Sequence, residues 1–537
     1  MTIEFFKAYL KVFPRCLPII VAPASLLLTW EYEFKKWDIG VPFHNLNNSE
    51  LSVKEHDDVV NANNWSNTRQ STEETRMMKL ISWFKDKSIL GISYSLYKIA
   101  GGAESEDGDE KKRKHSSVDK RKVNSCMRKV LLETPGLLVL DEGHTPRNKK
   151  SLIWKVLSKI QTRKRIILSG TPFQNNFLEL YNTLSLVKPS FHKTILQELK
   201  KFCQKQEHKK APKEWNWEPV LGNTASNTSD YKIKQLKLLM DPFVHVHKGA
   251  ILQKNLPGLR DCVLCLKPDS FHKQILESFK SSQNSFIFEN KQTLASIHPS
   301  LLLEFKLLEE ECFVDKDRLE KLRLDHNAGV KTKFLVEFVS LCAAHNEKVL
   351  VFSQFLDPLH LIIDQLNSAL KWTEGKEILY MSGEVRDRQT LIHNFNDENS
   401  QSKILLASTR ACSEGISLVG ASRVVLLDVE WNPSVEKQAI SRAYRIGQKK
   451  VVYTYHLLTQ GTKECDKYCK QAEKHRLSEL VFSAKNANNH NEPKNCAADI
   501  EDRILDLMIR HENLKDMFVE CVVQPKEREF ESFGYWL

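Results

Sequence analysis

Leu137-Leu-Val-Leu-Asp-Glu-Gly-His144 runs four apolar residues straight into two acids. An unbroken apolar run of this length, without polar alternation, is the pattern of a strand buried on both faces, as in a parallel sheet. The acids mark where the chain leaves it. Open parallel sheets bind ligands in the crevice beyond the carboxyl ends of their strands, so Asp141 and Glu142 are placed for chemistry. The second half of the chain repeats the arrangement in Arg423-Val-Val-Leu-Leu-Asp-Val-Glu-Trp-Asn-Pro433, an apolar strand followed by a polar turn.

Outward from these two stretches, strands are expected at Leu17–Val21, Ile89–Ser93, Leu137–Leu140 and Arg165–Leu168, and again at Lys348–Phe352, Glu377–Met381, Lys403–Ala407, Arg423–Leu427 and Val452–Leu457. Alternating with helical patterns, they predict an α/β fold of two parallel-sheet lobes, residues 1–190 and 326–483. Residues 191–325 carry Lys, Glu, Leu and Phe at helical spacing, as in Phe305-Lys-Leu-Leu-Glu-Glu-Glu-Cys312, and read as a helical linker. Insertions are expected at 41–80 and 101–122. The latter passes from acidic Glu104–Glu110 into basic Lys111–Lys114 and Lys120–Lys122 with no apolar period, which predicts a disordered loop carrying a nuclear-import signal or nucleic-acid patch. Residues 484–537 read as a linker and helical tail, with Ile504, Leu505, Leu507 and Met508 on an amphipathic helix that packs back on the lobes.

Composition excludes some classes. With 41% hydrophobic and 27% charged residues over 537, the chain is long enough for two or three globular domains, and its net charge of +11 favours a polyanionic partner. Twelve cysteines at irregular spacing suggest a reducing compartment rather than a disulfide scaffold. Cys262/Cys265 and Cys465/Cys469 lack a second half at zinc spacing. The apolar run from Leu17 to Leu28 falls short of the ~20 residues that span a bilayer and is broken by prolines, so no membrane partner is expected.

The stretch Gln438-Ala-Ile-Ser-Arg-Ala-Tyr-Arg-Ile-Gly-Gln448 sets Arg442 and Arg445 three apart, which on one helix would place both guanidinium groups on one face, able to meet a phosphate chain. Together with the two strand-end boxes it resembles the Snf2 family of helicase-related, ATP-driven DNA translocases. The resemblance implies two RecA-like lobes with helical insertions, ATP and Mg²⁺ as cofactors, and a double-stranded DNA or chromatin partner. It implies that Asp141 holds the metal, Glu142 serves the attacking water and His144 links hydrolysis to movement. Gly415 and Gln438 join the nucleotide site, and Arg442 and Arg445 reach the γ-phosphate when the lobes close. For nucleic acid it points to Ala22, Pro23, Ser169, Gly170 and Thr171 in the first lobe, with Gln174 and Asn175 as part of the signature. In the second it points to Ser353, Gln354, Ser408, Thr409 and Trp431. Trp431 has two readings, a core tryptophan or a DNA-facing wedge.

Two departures matter. No Gly-x-x-x-x-Gly-Lys-Ser/Thr occurs in the chain, although Met1-Thr-Ile-Glu-Phe-Phe-Lys-Ala-Tyr-Leu10 looks like the helix that follows such a phosphate-binding loop. The chain thus reads as beginning just downstream of the loop, either truncated or naturally without it. Ala411-Cys-Ser-Glu-Gly-Ile-Ser417 and Val244-His-Val-His-Lys248 also differ from most Snf2 enzymes, and with Asp141–Asn148, Lys248–Leu259 and Glu414–Ser422 they resemble the plant CLASSY branch. That branch implies a nuclear role in RNA-directed DNA methylation and small-RNA production, with a plant-specific RNA polymerase as partner. Three functions remain in view: a duplex-DNA translocase, a catalytically inactive adaptor that keeps the motor fold as a docking surface, and, less favoured, an RNA helicase.

Overall fold

The computed structural model describes residues 1–52, 55, 71–85, 87–102, 118–171, 177–189, 236–247, 256–278, 286–304, 316–383, 388–411, 415–482 and 502–523. They divide into two compact units, Met1–Leu239 and Met240–Leu537. Gln174, Asn175, Phe305–Cys312, Cys412–Glu414 and the basic cluster Lys111–Lys114 lie outside the described residues.

The first unit holds five parallel strands, β1 (Pro18–Ala22), β2 (Phe43–Asn45), β3 (Ile89–Ser93), β4 (Leu137–Asp141) and β5 (Arg165–Leu168), in the order β2-β3-β1-β4-β5. Strands β1 and β4 are in register from Pro18 opposite Leu137 to Val21 opposite Leu140. Unalternated apolar strands follow from helices packing on both faces. On one face Ile19, Val21, Leu90, Ile92, Leu138 and Leu140 meet Trp83, Tyr97 and Leu131; on the other, Ile20, Ala22, Ile89 and Val139 meet Phe6, Leu10, Leu27 and Phe34. Each such side chain contributes ~1.5–3 kcal/mol by leaving water.

The range 41–80, expected as an insertion, supplies an edge strand. β2 pairs with β3, and Gly91 opposite it carries no Cβ because one would sit 2.3 Å from the Phe43 ring. Buried His44 and Glu55 hydrogen-bond at 2.7 Å, and Lys79 Nζ, on the helix Thr72–Lys85, donates to Asn45 O at 3.0 Å, fastening that helix to the strand. A three-residue strand is too short to show a period. Likewise the helix Val118–Glu133 begins inside the segment expected to be a disordered loop.

The second unit holds β6 (Leu259–Leu266), β7 (Val349–Ser353), β8 (Ile378–Met381), β9 (Ile404–Ser408), β10 (Arg423–Leu426), β11 (Val452–Thr459) and β12 (Phe518–Val523) in the order β12-β6-β11-β10-β7-β9-β8, parallel except for β12. Two of these strands correct the reading from sequence. β6 lies in the range expected to be a helical linker and pairs along its whole length with β11. Its polar start hid it: buried Arg260 and half-exposed Asp261 interrupt the apolar run, and Asp261 is satisfied by His456 Nε2 at 2.9 Å and by the Thr454 hydroxyl. β12 lies in the tail expected to be helical. The tail helix Arg503–Arg510 does bury Ile504, Leu505 and Met508 in the second unit's core. Its N-cap Asp502 is held by buried Arg423, which also binds Glu347 and the Tyr455 hydroxyl.

Beneath β10 and β11 lies a buried ion pair. Lys331 Nζ donates to Glu464 Oε1 at 2.7 Å and to Leu427 O at 2.7 Å, while Ser296 and the Thr459 amide donate to the same carboxylate. Removing one partner of a buried pair leaves an uncompensated charge, so Lys331→Ala should cost ~3–5 kcal/mol in the unfolding transition of this unit. Lys331→Met combined with Glu464→Leu should cost much less. Urea denaturation of the single and double variants measures the difference.

Candidate functional site

In the first unit the chain leaves β1 toward β2 and β3 on one side and β4 toward β5 on the other, so the crevice at the carboxyl ends of β1 and β4 is a topological switch point. Asp141 stands there. Its Oδ2 accepts from Trp30 Nε1 at 2.8 Å and its Oδ1 from the Glu142 amide at 3.0 Å, yet burial keeps its carboxyl above the usual range. Glu142 adopts a left-handed backbone, φ 48°, a conformation a residue with a Cβ holds only when its surroundings demand it. Here Thr145 grips the Glu142 carbonyl through both its amide and its hydroxyl. Gly143 then passes so close to β5 that a Cβ would lie 2.3 Å from Ile167 Cγ2, and its amide donates to Leu168 O.

His144 Nδ1 shares a 3.1 Å hydrogen bond with Ser169 Oγ, which joins the turn after β4 to the turn after β5. Burial, with Arg147 nearby, pushes His144 down to about 4, so it is neutral at physiological pH and its 3.3 Å approach to Glu142 is not an ion pair. Beside Asp141 opens a cavity of about 380 Å³ lined by Met1–Glu4, Leu26, Thr29, Trp30, Glu33 and Trp37. One carboxylate beside an open cavity fits magnesium, which keeps several waters and takes one or two protein carboxylates. Among the described residues no cluster of three or more His, Cys, Asp or Glu is placed to hold a metal ion.

In the second unit the strand ends are built around two acids, Asp428 buried and Glu430 half-buried, neither singled out in the sequence. Asp428 accepts from the Ser353 hydroxyl at 2.5 Å and from the Gln354 amide at 3.2 Å; Glu430 accepts from the Thr409 hydroxyl at 2.9 Å. Burial pushes Asp428 up to about 6 and Glu430 up to about 7, the nearby Asp428 charge adding to the latter. Glu436, on the helix Pro433–Ala443, accepts from the Glu430 amide and from Gln471 Nε2, both at 2.8 Å. The signal was present in Leu427-Asp-Val-Glu-Trp431, which repeats the strand-then-acids order of the first unit.

The arginine pair departs from its expected geometry. The helix ends at Ala443, so Arg442 and Arg445 do not share a helical face. Arg442 is 8% exposed, whereas Arg445 is exposed and donates to Gly415 O at 3.0 Å and Ile416 O at 3.1 Å. The Tyr444 turn and Gly447, at φ 100°, break the helix, and Gln448 fixes the break by donating to the carbonyls of Val419, Ala421 and Ala443.

A family model described as the SNF2-related domain matches residues 15–317, and one described as the helicase conserved C-terminal domain matches residues 330–447. The chain belongs to the SNF2-related family. It is 52% identical to the SNF2 domain-containing protein CLASSY 3 of Arabidopsis thaliana over 98% of this chain and 38% of that protein. It is 48% identical to CLASSY 4 of the same plant over 99% of this chain and 45% of that protein. The chain thus spans less than half the length of these relatives. A solved structure, the C-terminal part of the Fun30 ATPase domain, aligns with 42% of this chain and 97% of that chain at 20% identity and a TM-score of 0.32; the α/β assignment rests on the two sheets themselves.

Set against the Snf2 motifs, the structure brings Asp141, Glu142, His144 and Ser169 together, and Gly415 with Arg445. Gly170 is exposed and Thr171 half-buried, its amide donating to Ser169 Oγ. Gln438 is half-exposed on the helix before the arginines. Several expected nucleic-acid contacts are not at the surface of their unit. Ala22 and Ser353 are fully buried, and Ser408 and Thr409 nearly so; the hydroxyls of Ser353 and Thr409 serve internal carboxylates. Pro23 and Gln354 are half-exposed. Trp431, at 41% exposure, is not a core residue.

Glu430 makes stability pH-dependent. Its folded-state affinity for a proton is raised from an ordinary 4.5 to about 7, so the stability it contributes is fully present below 4.5 and lost as pH rises through 7. Glu430→Gln keeps the Thr409 hydrogen bond without the titration. Urea midpoints of the variant should therefore vary less between pH 4.5 and 8 than those of the native chain.

Proposed function

We propose that this chain carries most of the motor of an ATP-driven double-stranded DNA translocase of the chromatin-remodelling type. The observation that supports it best is the Asp141–Glu142–His144 turn at the switch point of the first sheet, hydrogen-bonded through His144 to Ser169. NTP hydrolysis needs a carboxylate for magnesium and a group to orient water. Asp141 would hold Mg²⁺, which when bound neutralises triphosphate charge; Glu142 orients the water; and neutral His144 passes the state of that turn to the loop after β5. Arg445 is the arginine of the pair with its side chain at the surface, and it meets a γ-phosphate by giving up its carbonyl partners. By likeness to the CLASSY proteins, the motor acts in the nucleus in RNA-directed DNA methylation and small-RNA production, beside a plant-specific RNA polymerase.

A second reading is an adaptor that holds DNA and protein partners without turning over ATP, and the phosphate-binding loop is what separates the two. No Gly-x-x-x-x-Gly-Lys-Ser/Thr occurs in the 537 residues, so the amides and lysine that cradle β- and γ-phosphates are not among them.

Duplex-stimulated ATP hydrolysis is accordingly expected only in a protein that joins this chain to a phosphate-binding loop. There Glu142→Gln should allow nucleotide binding but block turnover, and Arg445→Ala should lower the rate ~10³-fold or more. Robust hydrolysis by the 537 residues alone would refute the need for the loop, and none in either form favours the adaptor.

Nuclear import is assigned to the basic clusters Lys111–Lys114 and Lys120–Lys122. Replacing these seven residues by Gln in a tagged protein should shift it to the cytoplasm; unchanged nuclear accumulation removes the clusters from that role.

A further inference from the structure

The helix Glu464–Phe482 runs beside the turn that presents Trp431. With 100° per residue, Lys463, just ahead of the helix, and Lys467, Lys470 and Lys474 within it fall in an arc of roughly 60°. Lys463 and Lys470 are exposed, Lys467 and Lys474 half-exposed, while Cys465 and Tyr468 on the other side, and Gln471 at the edge of the stripe, are buried. Asp466 and Glu473 flank the stripe on one edge only. A row of lysines is ordinarily just a solvated face. This row also engages an aromatic ring: Lys467 Nζ lies 5.0 Å and Lys474 Nζ 6.0 Å from the centre of the Trp431 indole, and Lys474 donates to Trp431 O at 3.3 Å. The large, half-open tryptophan is thus bracketed by two cations.

The stripe is also fixed in place. Gln471, one turn from both lysines, donates to Glu430 O and to Glu436 Oε1, so the helix is bonded to the turn after β10 and to the helix that leads into Arg442 and Arg445. Fixed cations along a line, with an exposed aromatic among them, suit a polyanion whose charges repeat regularly along a backbone.

We propose that Lys463, Lys467, Lys470 and Lys474, with Trp431, form a phosphate-tracking surface of the second unit for the backbone of duplex DNA. This rests on the duplex-binding part of the proposed function and names where in the second unit that binding occurs. The surface has no use for base identity: the lysines meet phosphates, and Trp431 lies against the sugar edge between them. It also accounts for why Ser353 and Thr409 can turn their hydroxyls inward, since a surface one helix away takes the phosphate.

The test is binding of the chain to a fluorescein-labelled duplex of arbitrary sequence, by anisotropy across a salt series. The triple variant Lys467→Gln, Lys470→Gln, Lys474→Gln should bind about 10-fold or more weakly, and each lysine that meets a phosphate should take roughly 0.9 from the slope of log affinity against log salt. The matching Lys→Arg triple should retain both. A control triple at exposed lysines elsewhere in the unit, Lys371→Gln, Lys376→Gln and Lys515→Gln, should change affinity far less. If the native chain binds duplex and the stripe variant loses no more than the control, the surface is wrong while the duplex reading stands; if the native chain does not bind duplex at all, both fall. Unchanged circular dichroism and unfolding midpoint in the variants separate lost contact from lost fold.

Discussion

A carboxylate partly or wholly withdrawn from water at the carboxyl edge of a parallel sheet is the constraint on which each unit is arranged. Every interior strand of such a sheet ends on the same side, where amides and hydroxyls of the outgoing turns lose their ladder partners and must find others. Asp141 meets this in the first unit by accepting from the Glu142 amide and the Trp30 indole; Asp428 meets it in the second by accepting from Ser353 and the Gln354 amide. The cost is a desolvated charge, visible in the raised proton affinity of both acids.

The two units use the same device differently. In the first, the acid stands beside an open cavity and its neighbouring turn is strained, with Glu142 at positive φ and Gly143 pressed against β5. Strain held by several hydrogen bonds is characteristic of a turn whose side chains must point one way. In the second, the acids face inward. Glu430 and Glu436 bind Thr409 and Gln471, while Lys331 and Glu464 pair beneath them, so the polar interior is a brace that carries Trp431 and the Arg445 turn on its outside. A network of this kind rigidifies only if each member is satisfied, and here the carboxylates each have donors.

Strands buried on both faces announce themselves as apolar runs, and the nine expected from such runs all form within a residue or two of their expected ends. The strands that escaped are those at sheet edges or with polar interiors. β2 has three residues, β6 opens with a buried arginine and a half-exposed aspartate, and β12 sits in a segment whose preceding helix dominates the pattern. Their stability comes from partners distant in sequence, His456 for Asp261 and β6 for β12, and no local period encodes those.

Strand-end motifs placed Asp141 and Glu142 at the mouth of a sheet and, together with the Gln438–Gln448 stretch, marked the family, because a buried strand followed by acids has few structural uses. Which way a side chain turns at that mouth is a tertiary matter. Spacing put Arg442 and Arg445 on one helix face; Gly447 and the Gln448 hydrogen bonds end the helix between them and send one inward and the other out. Ser353 and Thr409 have the residue type of phosphate contacts, and only the folded chain brings Asp428 and Glu430 close enough to claim their hydroxyls. Local sequence sets what each strand end can offer, while the competition between solvent, ligand and a buried acceptor for each donor is settled by residues far along the chain.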